Sequence, residues 1–234
     1  MKPIAIFRHH YSEGPGYFAT FLDQRSIPWQ LFKIDQNEAI PKDPTAFSGL
    51  AFMGGPMSVN DPLPWIAEAV DLTRSAVATN IPVLGHCLGG QLMAKAMGGV
   101  VTKNSVKEIG WGDVSVLENL EAQAWFGDLH QFRSFHWHGE TFSIPNGAQR
   151  VLESPWCANQ AFVIGPHLGL QCHVEMTAEM IEAWCTGGAE EIAQSDSPAV
   201  QTALQIYSEM EAQLPALNAV ADTLYKHWIK GLIL

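Results

Sequence analysis

The stretch Ile81-Pro82-Val83-Leu84-Gly85-His86-Cys87-Leu88-Gly89-Gly90-Gln91-Leu92-Met93-Ala94-Lys95-Ala96-Met97 decides the fold. Its first four residues form a short apolar run that reads as a buried strand, and residues 92–97 are good helix formers closed by Gly98-Gly99. Between them stands Gly-x-Cys-x-Gly, the cysteine form of the nucleophile elbow, a sharp strand-to-helix turn that lifts the nucleophile out of the sheet. The glycines let the turn close and the helix approach its strand. At this place Cys87 meets the free N–H groups and dipole of a helix N-terminus, which favour negative charge on sulfur. The Leu88 N–H faces the point where a substrate oxygen would become negative, giving half of an oxyanion hole. The plainer reading is a small thiol buried at a strand end.

A second segment, Leu168-Gly169-Leu170-Gln171-Cys172-His173-Val174-Glu175, reads as another buried strand. Residues two apart on a strand share a face, so His173 and Glu175 project together, while Val174 and Cys172 face away as packing. A carboxylate beside an imidazole fixes its tautomer and raises its basicity. Alone, such a pair is more often a satisfied core histidine or a surface pair. With Cys87 it completes the Cys, His, acid set of cysteine-based acyl transfer. A third segment runs from Leu50 through Phe52-Met53-Gly54-Gly55-Pro56 to Asp61, an apolar strand ending in a loop of bare backbone. Its N–H groups can approach a ligand closely, so it is a candidate for the second oxyanion donor, against the alternative of an ordinary tight connection.

Taken together, these three segments resemble the class I, triad-type glutamine amidotransferases, and most closely the free-standing proteins similar to the amidotransferase domain of GMP synthase. The segment Phe135-His136-Trp137-His138-Gly139-Glu140-Thr141-Phe142-Ser143-Ile144-Pro145 fits the same subgroup. The resemblance runs from the first strand to about Trp184. It implies Cys87 as nucleophile, His173 as general base then acid, and Glu175 as the residue that orients it. It also implies backbone N–H groups of Gly55 and Leu88 as the oxyanion hole, with Gln91 and the backbone near His138 and Gly139 contacting the substrate. The implied reaction is hydrolysis of the γ-glutamyl amide of glutamine through a γ-glutamyl thioester on Cys87, with no cofactor and no metal. Two positions depart from the family's pattern. Val174 stands where many relatives have Pro, and Gly90 where many have His; neither removes a reacting group.

Composition agrees with this. A chain of 234 residues can bury a full α/β core as one domain. No apolar run reaches the ~18 residues of a membrane span, and the N-terminal Met1-Lys2-Pro3-Ile4-Ala5-Ile6-Phe7 reads as a first strand rather than an export signal. The four cysteines, Cys87, Cys157, Cys172 and Cys185, show no Cys-x-x-Cys spacing, so a reducing cytoplasm without structural disulfides is expected. A formal charge of −11 opposes nucleic acid or an anionic membrane as partner.

Strands are expected at residues 3–7, 29–34, 50–53 and 81–84, with helices at about 16–25 and 64–79. That order predicts a mostly parallel open α/β sheet, flavodoxin-like, with helices on both faces and the active site at the carboxyl ends of the strands. Alternation from Gly110 to Phe142 predicts a small antiparallel excursion. Residues 1–188 are expected to form the amidotransferase domain. Residues 189–234 are expected to form a C-terminal helical extension on the same domain, as two helices at 200–213 and 217–230. The apolar side Leu217, Val220, Leu224, Trp228 and Leu232 is expected to pack inward, the alternative being a homo-oligomer or partner-docking face. His136 and His138 with His173, Glu175 and Cys87 nearby would suit a zinc hydrolase, but that reading leaves the elbow and the Gly-Gly-Pro loop without a role. His9 and His10 fall on the active edge, as pocket lining or as loop residues without a role.

Three functional readings follow. One is a glutaminase that supplies ammonia to a separate synthetase partner, for the chain has no Walker-type loop of its own. The second is a self-sufficient γ-glutamyl peptide or amine hydrolase or transferase. The third, a non-catalytic member of the fold, is opposed by the intact Cys87, His173 and Glu175.

Overall fold

The computed structural model describes residues 2–233. In chain order the elements are β1 (Ile4–Arg8), α1 (Gly16–Gln24), β2 (Trp29–Lys33), β3 (Gly49–Phe52), α2 (Pro64–Ala78), β4 (Val83–His86) and α3 (Leu88–Ala96). Next come β5 (Val101–Val116), α4 (Leu120–Phe126), β6 (Gln131–Phe142), β7 (Gln149–Glu153), β8 (Ala161–Ile164) and β9 (His167–Leu170). The chain closes with α5 (Ala178–Gly187), α6 (Ala189–Gln194), β10 (Ala199–Val200) and α7 (Ala203–Trp228). The sheet order is β10-β5-β7-β8-β9-β4-β3-β1-β2, with β6 paired to β5.

The core of the sheet, β2-β1-β3-β4-β9, is parallel throughout. Strands β1, β3, β4 and β9 are buried along almost their whole length because both faces are covered, whereas the edge strand β2 is not. Alternation assigns the faces: Ile4, Ile6, Ala51 and Leu84 enter one hydrophobic cluster, which includes residues of α1, α5 and α7. Ala5, Phe7, Leu50, Phe52 and Val83 enter the other, which includes residues of α2 and α3. The antiparallel part is larger than a small excursion. The ribbon of β5 and β6 pairs from Val101 to Ser115, and β7 and β8 carry antiparallel pairing on to β9.

Two expectations are corrected. The strand read over residues 168–175 ends at Leu170, and His173 makes only an isolated bridge with Phe135. Beyond Leu170 the chain turns away from β4 and bonds instead to other segments, Gln171 N–H to Gln160 O (2.8 Å) and His173 N–H to Phe135 O (2.8 Å). The two C-terminal helices are one, α7, with Pro215 inside it. Pro215 lacks an N–H and disfavours helix. Burial of Leu217, Val220, Ala221, Leu224, Tyr225 and Trp228 on one side of the helix outweighs that local cost. A capping box at Thr202 and Gln205 sets its start, so Val200 belongs to β10 rather than to the helix. Among the described residues no helix is long and apolar enough to cross a membrane.

Candidate active site

Because β1, β3, β4 and β9 run parallel, their carboxyl ends open on one edge of the sheet. Cys87 follows β4 directly and is the N-cap of α3, at φ 49° and ψ −105°. That conformation is strained for a residue with a Cβ. It is held by Cys87 N–H donating to Leu170 O (2.9 Å) and by Gln91 N–H donating to Cys87 O (3.0 Å). A Cβ on Gly89 would collide with Phe52 O, and one on Gly85 with the Gly89 backbone, so the elbow closes only with glycine at both.

His173 Nδ1 and Glu175 Oε1 lie 2.6 Å apart, both side chains buried. Burial opposes charge on His173, but the Glu175 carboxylate and the neighbouring Cys87 outweigh it and hold the imidazole well above its usual range. Burial works against the Glu175 carboxylate too, yet His86 and His173 hold it down to about 2. The pairing therefore favours imidazolium and carboxylate. Nδ1 is committed to Glu175, which leaves Nε2, buried and without a hydrogen-bond partner, as the nitrogen available to a reacting group. Trp184 stands edge-on to the imidazole, ring centroids 4.7 Å apart.

Cys87 and His173 open onto one cavity of about 510 Å³, with Gly55, Gln91, His138 and Gly139 also in its wall. Gly55 packs against Leu88, so the Gly-Gly-Pro loop and the first turn of α3 meet beside the sulfur. Leu88 opens α3, where an N–H has no intrahelical acceptor, and the Gly55 N–H makes no backbone hydrogen bond among the described residues. His10 lines the cavity, whereas His9 does not. It stacks on Trp65 with Nδ1 3.0 Å from Met53 O, and burial pushes it down to about 4. Cys172 is fully buried, and burial pushes its thiol up to about 12.

A model of the class-I glutamine amidotransferase family matches residues 19–183. The chain belongs to that family. It superposes on the crystal structure of a glutamine amidotransferase from Methylobacillus flagellatus with a TM-score of 0.97 and 45% identity, over 100% of this chain and 96% of that one. It is 28% identical to the glutamine amidotransferase-like protein YfeJ of Salmonella typhimurium, over 79% of this chain and 80% of the relative. The glutamine-hydrolysing GMP synthase subunit of Sulfolobus acidocaldarius is 33% identical over 56% of this chain and 68% of its own. The resemblance read from the motifs is thereby shown, as is the fold.

Around this family member's candidate triad stand residues that the sequence did not single out. Gln171 Nε2 donates to Cys87 Sγ (3.4 Å), and Gln171 Oε1 accepts from Gln91 Nε2 (3.2 Å). Gln91 thus reaches the cavity wall as part of a chain of amides ending on the sulfur. Behind Glu175, the buried His86 lies 3.8 Å away and pairs with Tyr225 Oη of α7 at 3.0 Å. Burial holds His86 below its usual range despite Glu175. His86 and Gln171 sat inside the quoted motifs, but Tyr225 lies 139 positions from its partner and no local signal points to it.

His136 and His138 do not join His173 and Glu175 in one metal-sized cluster. They face Glu108, with one ligand-type atom of each within 4.8 Å of the others. The register of the ribbon places Glu108 opposite His138. These three could hold a cation, but the Gln160 amide nitrogen stands among them, 2.9 Å from Glu108 and 3.4 Å from each histidine. The cluster bonds internally and props the cavity wall at His138 and Gly139.

Proposed function

We propose that this chain hydrolyses the γ-glutamyl amide of glutamine by cysteine catalysis. The observation that supports the reading best is the strained Cys87, sharing one cavity with a His173–Glu175 pair whose free nitrogen is Nε2. The Cys87 thiolate attacks the substrate Cδ, and the oxygen takes up negative charge against the N–H groups of Gly55 and Leu88. His173 Nε2 gives its proton to the leaving nitrogen, the C–N bond breaks, and a γ-glutamyl thioester remains. Water then attacks the same carbon, its proton passes to His173, the C–S bond breaks and glutamate leaves. Gln91, His138 and Gly139 hold the amino-acid end of the substrate. Glu175 holds the imidazole tautomer throughout and stabilises its charged form.

Cys87→Ala should lower glutamate release from glutamine by at least about a thousandfold while leaving the circular dichroism spectrum unchanged. A folded variant with normal turnover would sink the mechanism.

A second reading, hydrolysis of a larger γ-glutamyl amide or peptide without a partner, is favoured by the cavity itself. Its volume of about 510 Å³ falls in the ~300–1,000 Å³ range of sites for drug-sized ligands, far more than glutamine fills. The relative named as a GMP synthase subunit favours the first reading, with a synthetase as partner for the ammonia. Glutamate release from a panel of γ-glutamyl amides by the chain alone separates the two: preference for a conjugate over glutamine supports the self-sufficient hydrolase.

A further inference from the structure

Glu13 carries a carboxylate that makes no hydrogen bond or ion pair with any described residue, yet it stands partly buried in the wall of the cavity. Its loop is pinned from three sides. Glu13 N–H donates to His10 O (3.0 Å), Trp184 Nε1 donates to Ser12 O (2.9 Å), and Tyr17 N–H donates to Glu175 O (2.8 Å). Gly16, at φ +50°, lies so close that a Cβ there would collide with Glu175 O. The loop is therefore fixed to the backbone of the same residue that orients His173. Glu13 Oε2 fills the space above Gly54: a Cβ built on Gly54 would strike it and would lie 3.2 Å from His173 Cε1. The carboxylate thus stands against Gly54, on the side that also faces the Cε1 edge of the imidazole.

We propose that Glu13 binds the leaving nitrogen of the substrate. The inference rests on the Cys87 mechanism above. In that mechanism the substrate oxygen faces Gly55 and Leu88, and the amino-acid end faces Gln91, His138 and Gly139. The remaining substituent on the reacting carbon is nitrogen, and its proton donor is His173 Nε2, next to Cε1. Glu13 is the free acceptor beside that atom. As the S–C bond forms and the C–N bond breaks, the nitrogen receives the His173 proton and leaves as a neutral amine, donating one of its N–H groups to Glu13. The carboxylate draws the amine out of the reacting position before it can attack the thioester. Leaving groups that keep N–H hydrogens, ammonia and primary amines, are the ones this site retains.

Burial pushes the Glu13 carboxyl up to about 7, with His173 pulling it down and Glu175 pushing it further up. The other titratable groups facing the cavity are His10, Tyr11, Cys87, His138, Glu140 and Glu191.

The test pairs two reactions of the full chain. One is glutamate release from glutamine. The other is alkylation of the cysteine by a γ-chloroketone analogue of glutamine, which loses chloride and has no leaving nitrogen. Glu13→Gln should slow glutamate release about a hundredfold and leave the alkylation rate within about twofold. Glu13→Asp should recover part of the loss. Wild-type glutamate release should fall as pH drops through about 7, when Glu13 takes up a proton, and Glu13→Gln should lose that limb. Alkylation slowed in parallel with hydrolysis would make Glu13 a support of the whole site, and unchanged hydrolysis would give it no part; either overturns the proposal. Failure of the underlying mechanism reads differently, as label found on a residue other than Cys87 in the wild-type chain.

Discussion

Gly90 shows at a single residue how closely the elbow packs against the neighbouring strand. A Cβ at Gly90 would collide with Leu170 O and lie 3.0 Å from Leu170 C, at the end of the strand beside β4. The carbonyl it would strike also accepts the Cys87 N–H, one of the bonds that hold the cysteine in its strained backbone. Moving it loosens Cys87 as well as the core. Gly90→Ala should therefore lower stability by about 1–3 kcal/mol, the usual cost of forcing volume into a packed site. It should slow alkylation of Cys87 as well. Chemical denaturation with unchanged slope and a lower midpoint would show it, whereas an unchanged midpoint would mean that β9 yields at no cost. The sequence marked the missing His at Gly90 as a departure. The close approach of β9 to Gly90 is recorded by no local pattern.

At the scale of elements, α7 supplies a support that the site cannot obtain from the sheet alone. Tyr225 projects from its buried side onto His86, which lies against Glu175, so the C-terminal helix reaches the candidate triad through two side chains. His86 Nδ1 already lacks a partner. Tyr225→Phe would leave Nε2 without its nearest neutral partner too, and an unsatisfied buried polar group costs about 1–3 kcal/mol. Tyr225→Phe should lower Tm and kcat together, with KM little changed, because the loss falls on the orientation of Glu175 and His173 rather than on the substrate walls. A variant with wild-type kcat would restrict α7 to packing. The elements that were legible share a cause. β1, β3 and β4 announce themselves by short apolar runs, and α2 by Pro64 at its first helical position. The break after Leu170 and the continuity of α7 through Pro215 were illegible because partners distant in sequence decide them, Phe135 and Gln160 in one case and the buried wall beneath Leu217–Trp228 in the other.

Over the whole molecule, parallel strands bring Cys87, Gly54-Gly55 and the segment after Leu170 to one edge, so the candidate site was legible wherever a motif ended a strand. Glu13 and Tyr225 were not, since a lone Glu in a loop and a lone Tyr on a helix carry no pattern. The same topology buries histidines that titrate against the fold. Burial pushes His9, His136 and His167 down to about 4 each, from an unfolded value of about 6.5. These groups stay neutral in the folded state while the unfolded chain takes up protons as pH falls below 6.5. The stability they permit is complete above 6.5 and is lost towards 4. Glu13 acts in the opposite sense: its folded value near 7 lies above its ordinary 4.5, so falling pH favours the folded state through it. His173, raised well above its usual range by Glu175 and Cys87, acts in the same sense as Glu13 as pH falls through about 6.5. Glu175, held near 2, begins to cost stability only below about 4.5. With His86 and His227, which burial also holds below their usual range, these histidines outweigh Glu13 and His173 and leave a net uptake of protons on unfolding, each proton worth about 1.4 kcal/mol per pH unit. For a chain of this size Tm should drop by on the order of 10 °C between pH 6.5 and about 5. Calorimetry across that window checks it, and a Tm that holds level or rises would mean that these imidazoles are charged inside the fold.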